Sequence, residues 1–172
     1  MTSYSNLGAY NSQFGQPIAD FGAIRAKLGE MAARCYALES MCYRVAGYMD
    51  ESIDTLDSSD PDYVAKMMEA IEEYAVEDSI MKVFGSEVMQ YVADEAVQIH
   101  GGYGFSAEYE VERVYRDCRV NRIFEGTNEI NRMLVPGMIL KKAMKGELPF
   151  LQAAQAVADE LTGLPSFGEA GE

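Results

Sequence analysis

The segment Arg122-Ile123-Phe124-Glu125-Gly126-Thr127 sets one carboxylate between two large apolar side chains and a glycine. If Ile123 and Phe124 strip water from Glu125, desolvation raises its pKa toward that of a useful general base. Gly126 removes a side chain there and leaves room for a substrate to approach the backbone. The same carboxylate also suits the start of the helix expected to follow, where it would complement the N-terminal dipole, and the pattern by itself favours this plainer role. A second group is Gln98-Ile99-His100-Gly101-Gly102-Tyr103-Gly104. Its glycines end a helix by taking the backbone conformation that a C-terminal cap needs, which by itself would account for them. They follow a helix instead of opening one after a strand, so a Rossmann phosphate loop is the wrong comparison. His100 is the single histidine, and no Cys or His pair has metal-ligand spacing, which excludes zinc chemistry. Arg113, Arg116, Asp117 and Arg119 alternate in sign on a short expected helix and read as solvated or intrahelical ion pairs with no catalytic role.

Helices must position these groups. From Ile18 the apolar residues Phe21, Ile24, Leu28, Met31, Cys35, Leu38, Cys42, Val45 and Met49 alternate steps of three and four, which predicts a long helix with a narrow buried seam and Pro17 in its first turn. The Asp, Ser and Pro61 cluster at 54–61 ends it. A second helical stretch covers Asp62 to about Ile99, bent or divided at Gly85. A shorter helix is expected over Tyr109 to Cys118, and Thr127 or Asn128 caps the next, with a kink or break at Pro136-Gly137. No strand pattern is evident. Helices joined by short turns predict an all-α fold, an antiparallel four-helix bundle over 1–147, with an amphipathic helical tail and flexible end over 148–172. The tail should pack on the bundle or a neighbouring subunit. Asp159, Glu160 and the lack of basic residues from Glu147 onward argue against contact with a membrane surface.

With 172 residues and 48% hydrophobic content, the chain fits one domain with a sizeable core. A formal net charge of -14 argues against a nucleic-acid surface, which needs clustered Lys and Arg. No apolar stretch approaches a membrane span, and the N-terminus has no signal pattern, so a cytoplasmic protein is expected. Cys35 and Cys42 lie about 10 Å apart by helical rise, too far for a disulfide. They are expected as small apolar core residues.

Three blocks carry a family resemblance: Gln13-Phe14-Gly15-Gln16-Pro17-Ile18, Gln98 to Gly104, and Ile123-Phe124-Glu125-Gly126-Thr127-Asn128-Glu129. In this order and spacing they resemble the C-terminal helical domain of the acyl-CoA dehydrogenases, over roughly Gln13 to Lys145. Lys82-Val83-Phe84-Gly85-Ser86-Glu87 and the helical tail look closest to the very-long-chain branch and its bacterial relatives. The resemblance implies that Glu125 removes the α-proton of an acyl-CoA thioester while hydride passes to FAD, and that Glu125 and Gly126 contact the substrate. It implies FAD contacts at Gln13, Phe14, Gln98, Gly101 and Gly102, reaching a flavin held mainly by a neighbouring subunit, with Thr127 and Glu129 near a flavin. Asn11 departs from the pattern, standing where the family usually has an arginine that pairs with the pyrophosphate. His100 occupies a variable position of its block and is expected to be structural. The N-terminal helical and middle β-domains of a complete member are not in this sequence. The implied partners are those missing domains, acyl-CoA, an electron-transfer flavoprotein as acceptor, and further copies of the chain in a dimer or tetramer. The isolated chain would then be inactive in fatty-acid β-oxidation. The alternative is a free-standing helical assembly module whose inherited site is idle.

Overall fold

The apolar seam forms a 33-residue helix, α1 (Gly22–Asp54), in the computed structural model, which describes residues 12–163. Phe21, Ile24, Leu28, Met31, Cys35, Leu38, Val45 and Met49 are buried or half-buried along it, but Met41 takes the place in the seam expected of Cys42, which is exposed. A straight helix drifts about 20° per heptad against a strict 3.5-residue repeat, enough to exchange neighbours along a narrow seam. The helix also starts later than expected. Ser12–Gln13 (β1) and Gln16–Pro17 (β2) pair as a small antiparallel hairpin, followed by a 3-10 turn at Ile18–Asp20. Phe14 (φ 53°) and Gly15 (φ 81°) occupy the two turn positions with positive φ, as a tight type I′ hairpin requires. Strands of two residues are too short to show alternation in a sequence.

The second helical stretch divides, but at Glu73-Tyr74 and not at Gly85, giving α2 (Tyr63–Glu72) and α3 (Ala75–His100). The division is fixed from outside: the Tyr74 ring stacks on Tyr48 of α1 with centroids 6.3 Å apart, and its hydroxyl lies 2.9 Å from Ser52 Oγ. Gly85 runs inside unbroken helix. A Cβ there would stand 3.2 Å from Leu38 Cδ1, so the glycine serves a close approach of α1 to α3.

Helices α4 (Glu110–Cys118), α5 (Asn128–Met144) and α6 (Phe150–Gly163) follow. The centre is α3, against which α1, α4 and α5 all run antiparallel. Met31 of α1 clusters with Ile99 and its Leu38 with Gly85; Val111 of α4 clusters with Ala96 while Cys118 lies beside Gln90. On α5, Asn128 bonds Ser86, and Lys142 reaches back to Glu73. The all-α antiparallel bundle is therefore observed. Pro136 neither ends nor divides α5. It and Arg132, the residue whose carbonyl loses a donor, are both on the exposed face, where water can replace the missing bond. Every residue of α6 is exposed, with Leu151 68% and Leu161 64% accessible, so α6 does not settle on the bundle of its own chain. No helix among the described residues is long and apolar enough to cross a membrane.

Candidate functional site

Between the 3-10 turn Arg119–Arg122 and α5, the chain makes a tight turn at Glu125 (φ 54°) and Gly126 (φ 79°). Left-handed backbone costs a side-chain-bearing residue on the order of 1–2 kcal/mol, so surrounding contacts must hold Glu125 there. Those contacts are present. The Gly126 carbonyl accepts from Lys82 Nζ at 2.6 Å and from Asn131 Nδ2 at 2.9 Å. Lys82 Nζ also donates to Asn128 Oδ1 at 2.9 Å, and Asn128 Nδ2 donates to Ser86 Oγ at 2.9 Å. Asn128 is fully buried, which makes this polar network costly to break. A Cβ on Gly126 would come within 3.1 Å of Asn131 Nδ2, and the positive φ disfavours one in any case.

Thr127 is the N-cap of α5, its hydroxyl accepting from the Ile130 amide at 3.2 Å. Glu129, in the first turn, is held below the usual carboxylate range by backbone N–H donation at the helix start and by the Thr127 hydroxyl, then by Arg122 and Arg132. It stays ionised and makes a poor proton acceptor. Glu125 itself is exposed, and Ile123 and Phe124 are 54% and 44% accessible. The expected apolar cover over Glu125 is thus not supplied by its sequence neighbours, because the turn directs all three outward. Arg116 pairs with Glu112 one turn earlier, as expected for a solvated charge run.

The glycine block forms the opposite end of α3. Gly101 (φ 62°) is the C-cap, its N–H returning to the Gln98 carbonyl. Gly104 is required for another reason: a Cβ would lie 2.5 Å from the Val97 carbonyl oxygen. At Gly102 neither reason applies, since φ is not positive and a Cβ would meet nothing within 4 Å. Nothing among the described residues calls for glycine there, which leaves a bare, exposed backbone beside the exposed Gln98, a cradle suited to a flat or phosphorylated ligand. His100 is buried, with Nδ1 2.7 Å from the Ala96 carbonyl oxygen. The hairpin joins this end, because Ile18 and Phe21 pack on the cluster that holds Ala96 and Ile99. Phe14, at the hairpin tip, is 95% exposed in a strained conformation, its ring edge-on to Phe21. Asn11 lies outside the described residues.

The expected site residues therefore gather in two places. Gln13, Phe14, Gln98, Gly101 and Gly102 share one end of α3, while Glu125, Gly126, Thr127 and Glu129 sit against its first half. Lys82, which touches the Glu125 turn, is sixteen residues before Gln98, about 24 Å along the helix. One copy does not bring both groups onto one small ligand. Lys82, Ser86, Asn128 and Asn131 are the site residues that sequence reasoning missed as partners of this turn, although the i, i+4 spacing of Lys82 and Ser86 put them on one face of α3. An apolar cavity of about 350 Å³ between α1, α3 and α4, lined by Cys35, Leu38, Val88, Val92 and Val114, holds no ionisable carboxylate or amine and touches neither group. Among the described residues no cluster of His, Cys, Asp or Glu could hold a metal.

Residues 9–139 match the family described as acyl-CoA dehydrogenase, C-terminal domain. A probable acyl-CoA dehydrogenase of Bacillus subtilis is 54% identical over 149 residues, which cover 87% of this chain and 25% of that protein. The very long-chain specific acyl-CoA dehydrogenase of Bos taurus mitochondria is 39% identical over 168 residues, 95% of this chain and 21% of that protein. An acyl-CoA dehydrogenase from Bacillus anthracis, crystallised in complex with FAD, superposes with a TM-score of 0.90 at 53% identity, covering 96% of this chain and 28% of that one. The chain spans about a quarter of the length of the relatives it matches.

Proposed function

The chain belongs to the acyl-CoA dehydrogenase family, whose C-terminal domain it carries, and from that premise we propose that it supplies the catalytic base and part of the FAD site of an enzyme that desaturates acyl-CoA thioesters between Cα and Cβ. The observation that carries this reading is the Glu125 turn: a carboxylate in strained left-handed backbone, pinned from behind by Lys82 and Asn131 and open to the outside. Strain of this kind persists where it serves function.

In this reading Glu125 takes the α-proton onto its carboxylate. The bare Gly126 gives the thioester access to the backbone, and the Glu125 amide stabilises the negative charge that develops on the thioester carbonyl oxygen. Bound FAD supplies the acceptor for the hydride that leaves Cβ. Gln98 and the exposed backbone of Gly101 and Gly102 hold the adenosine and pyrophosphate portion, with Gln13 and Phe14 beside them. Thr127 and Glu129 lie near the flavin of their own or an adjacent subunit. The span of about 24 Å between the two groups supports an arrangement in which each serves a different active site of an oligomer. Apolar cover for Glu125 then comes from the N-terminal and middle domains of the complete enzyme. Electrons leave to an electron-transfer flavoprotein, and the pathway is fatty-acid β-oxidation. The Lys82 to Glu87 block supports the very-long-chain branch and its bacterial relatives as the sub-branch.

The test is anaerobic. FAD and then a long-chain acyl-CoA are added to the chain joined to N-terminal and middle domains, and to the chain alone, while flavin absorbance is followed. Bleaching in the joined enzyme, with no flavin retained by the chain alone, is expected. A joined enzyme that retains FAD yet never bleaches would leave the idle assembly module as the better account. The chain alone should self-associate through exposed apolar residues such as Tyr36 and Tyr43 of α1. A concentration-independent monomer in sedimentation velocity would count against the oligomer.

A further inference from the structure

The residue after the base has its carbonyl held by an ammonium group from a different helix, 44 positions earlier in the chain. Helix α3 could satisfy Lys82 in water at no structural cost, yet Nζ is committed to two acceptors on the far side of the helix interface, Gly126 O and the buried Asn128 Oδ1. We propose that Lys82 is a positioning residue for proton abstraction, acting through Gly126 and Asn128 to keep Glu125 in its left-handed conformation. The inference rests on the reading of Glu125 as the base.

Three features make the role specific. The Gly126 carbonyl meets Lys82 from a two-residue turn in which both φ angles are positive. Asn131 holds the same carbonyl, but it sits in α5, the element the turn itself leads into, and moves with it. Lys82 is the α3 side chain that bonds the turn's own carbonyl, while Ser86 holds Asn128 and Glu87 pairs with the flanking Arg122 and Arg132. Without Lys82 the Gly126 carbonyl keeps only Asn131, on its own helix, and the loosened turn lets the Glu125 carboxylate swing from its aim while leaving its chemistry intact. A displacement of about 1 Å at a reacting group is enough to cost up to about 10²-fold in rate.

Lys82→Met, which keeps the stem and removes the donors, is compared with Lys82→Arg and Glu125→Gln in the enzyme joined to its N-terminal and middle domains. For Lys82→Met the expected result is a fall in kcat of about tenfold or more. KM and bound FAD should stay near those of the parent, the isotope effect with α-deuterated acyl-CoA should grow, and Lys82→Arg should recover most of the rate. In the 172-residue chain the same variant should speed amide hydrogen exchange over residues 123–128 while leaving α1 unchanged. Unchanged kcat, isotope effect and exchange would overturn the proposal, as would a loss of FAD and of global stability that matched the loss of rate. If Lys82→Met does not accumulate, Lys82→Gln, which keeps one donor, carries the same comparison. Substantial turnover by Glu125→Gln would instead remove the base reading, and the exchange result would still decide whether Lys82 holds the turn.

Discussion

The two ends of α3 differ in where their side chains find partners. At the Glu125 end the contacts are internal: Lys82, Ser86, Asn128 and Asn131 close a network around one carbonyl and one buried amide. At the glycine end the backbone of Gly101 and Gly102, the Gln98 side chain and the Phe14 ring all face outward. The contrast separates two kinds of site. In the proposed reading, the aim of the base is set within this chain, whereas the cofactor contacts are half of a surface completed by other domains or copies.

The strongest way to break that contrast is to remove one functional group from each end. In the completed enzyme Glu125→Gln should lower turnover by about 10²-fold or more with flavin content unchanged. Gln98→Ala should do the reverse, lowering the flavin-to-protein absorbance ratio while each loaded site turns over near normally. Equal losses of flavin in both variants would show that the two ends are not distinct. A sharper comparison stays within the glycine block. Gly104→Ala drives a Cβ into the Val97 carbonyl and should destabilise the fold by about 2 kcal/mol in urea unfolding. Gly102→Ala should change stability by no more than about 0.5 kcal/mol and yet weaken FAD retention. If Gly102→Ala unfolds the chain as readily as Gly104→Ala, the bare backbone there is structural and the cradle is lost.

The smallest expected effect is a pH dependence at the start of α5. The Glu129 carboxylate titrates lower folded than unfolded, so its contribution is present above the unfolded value and disappears as pH falls through the folded one. Glu129→Gln should therefore leave stability at acid pH unchanged and lower it slightly above the carboxylate range, read from urea midpoints across that window. An equal shift at all pH values would mean that the side chain acts by packing.

Much of this architecture could be read from residue order because periodicity and capping are local. The seam of α1, the glycine cap at Gly101 and the Thr127 cap all depend on residues within a turn or two of each other. What escaped depends on distant partners. The division at Tyr74 is set by Tyr48 across 26 residues, and the glycine at Gly85 answers to Leu38 and not to its own helix. Asn128 looked like a possible cap, but Thr127 caps and Asn128 is buried as an anchor between helices. The outward face of Glu125 escaped for the opposite reason. Apolar neighbours in sequence suggested cover, but the turn at Glu125 and Gly126 leaves Ile123, Phe124 and Glu125 all on the outside.

Helix α3 connects the two ends without an interruption, and that continuity has a consequence for how such a sequence can change. One residue added between Lys82 and Gln98 would advance the far end by about 1.5 Å and rotate it by about 100°. Gln98 would then point to a different face while Lys82 kept its bonds to Gly126 and Asn128. An insertion of seven residues keeps the phase to within about 20° but lengthens the gap by about 10 Å. The helix thus behaves as a keyed shaft, holding its two ends in register only while its residue count is kept.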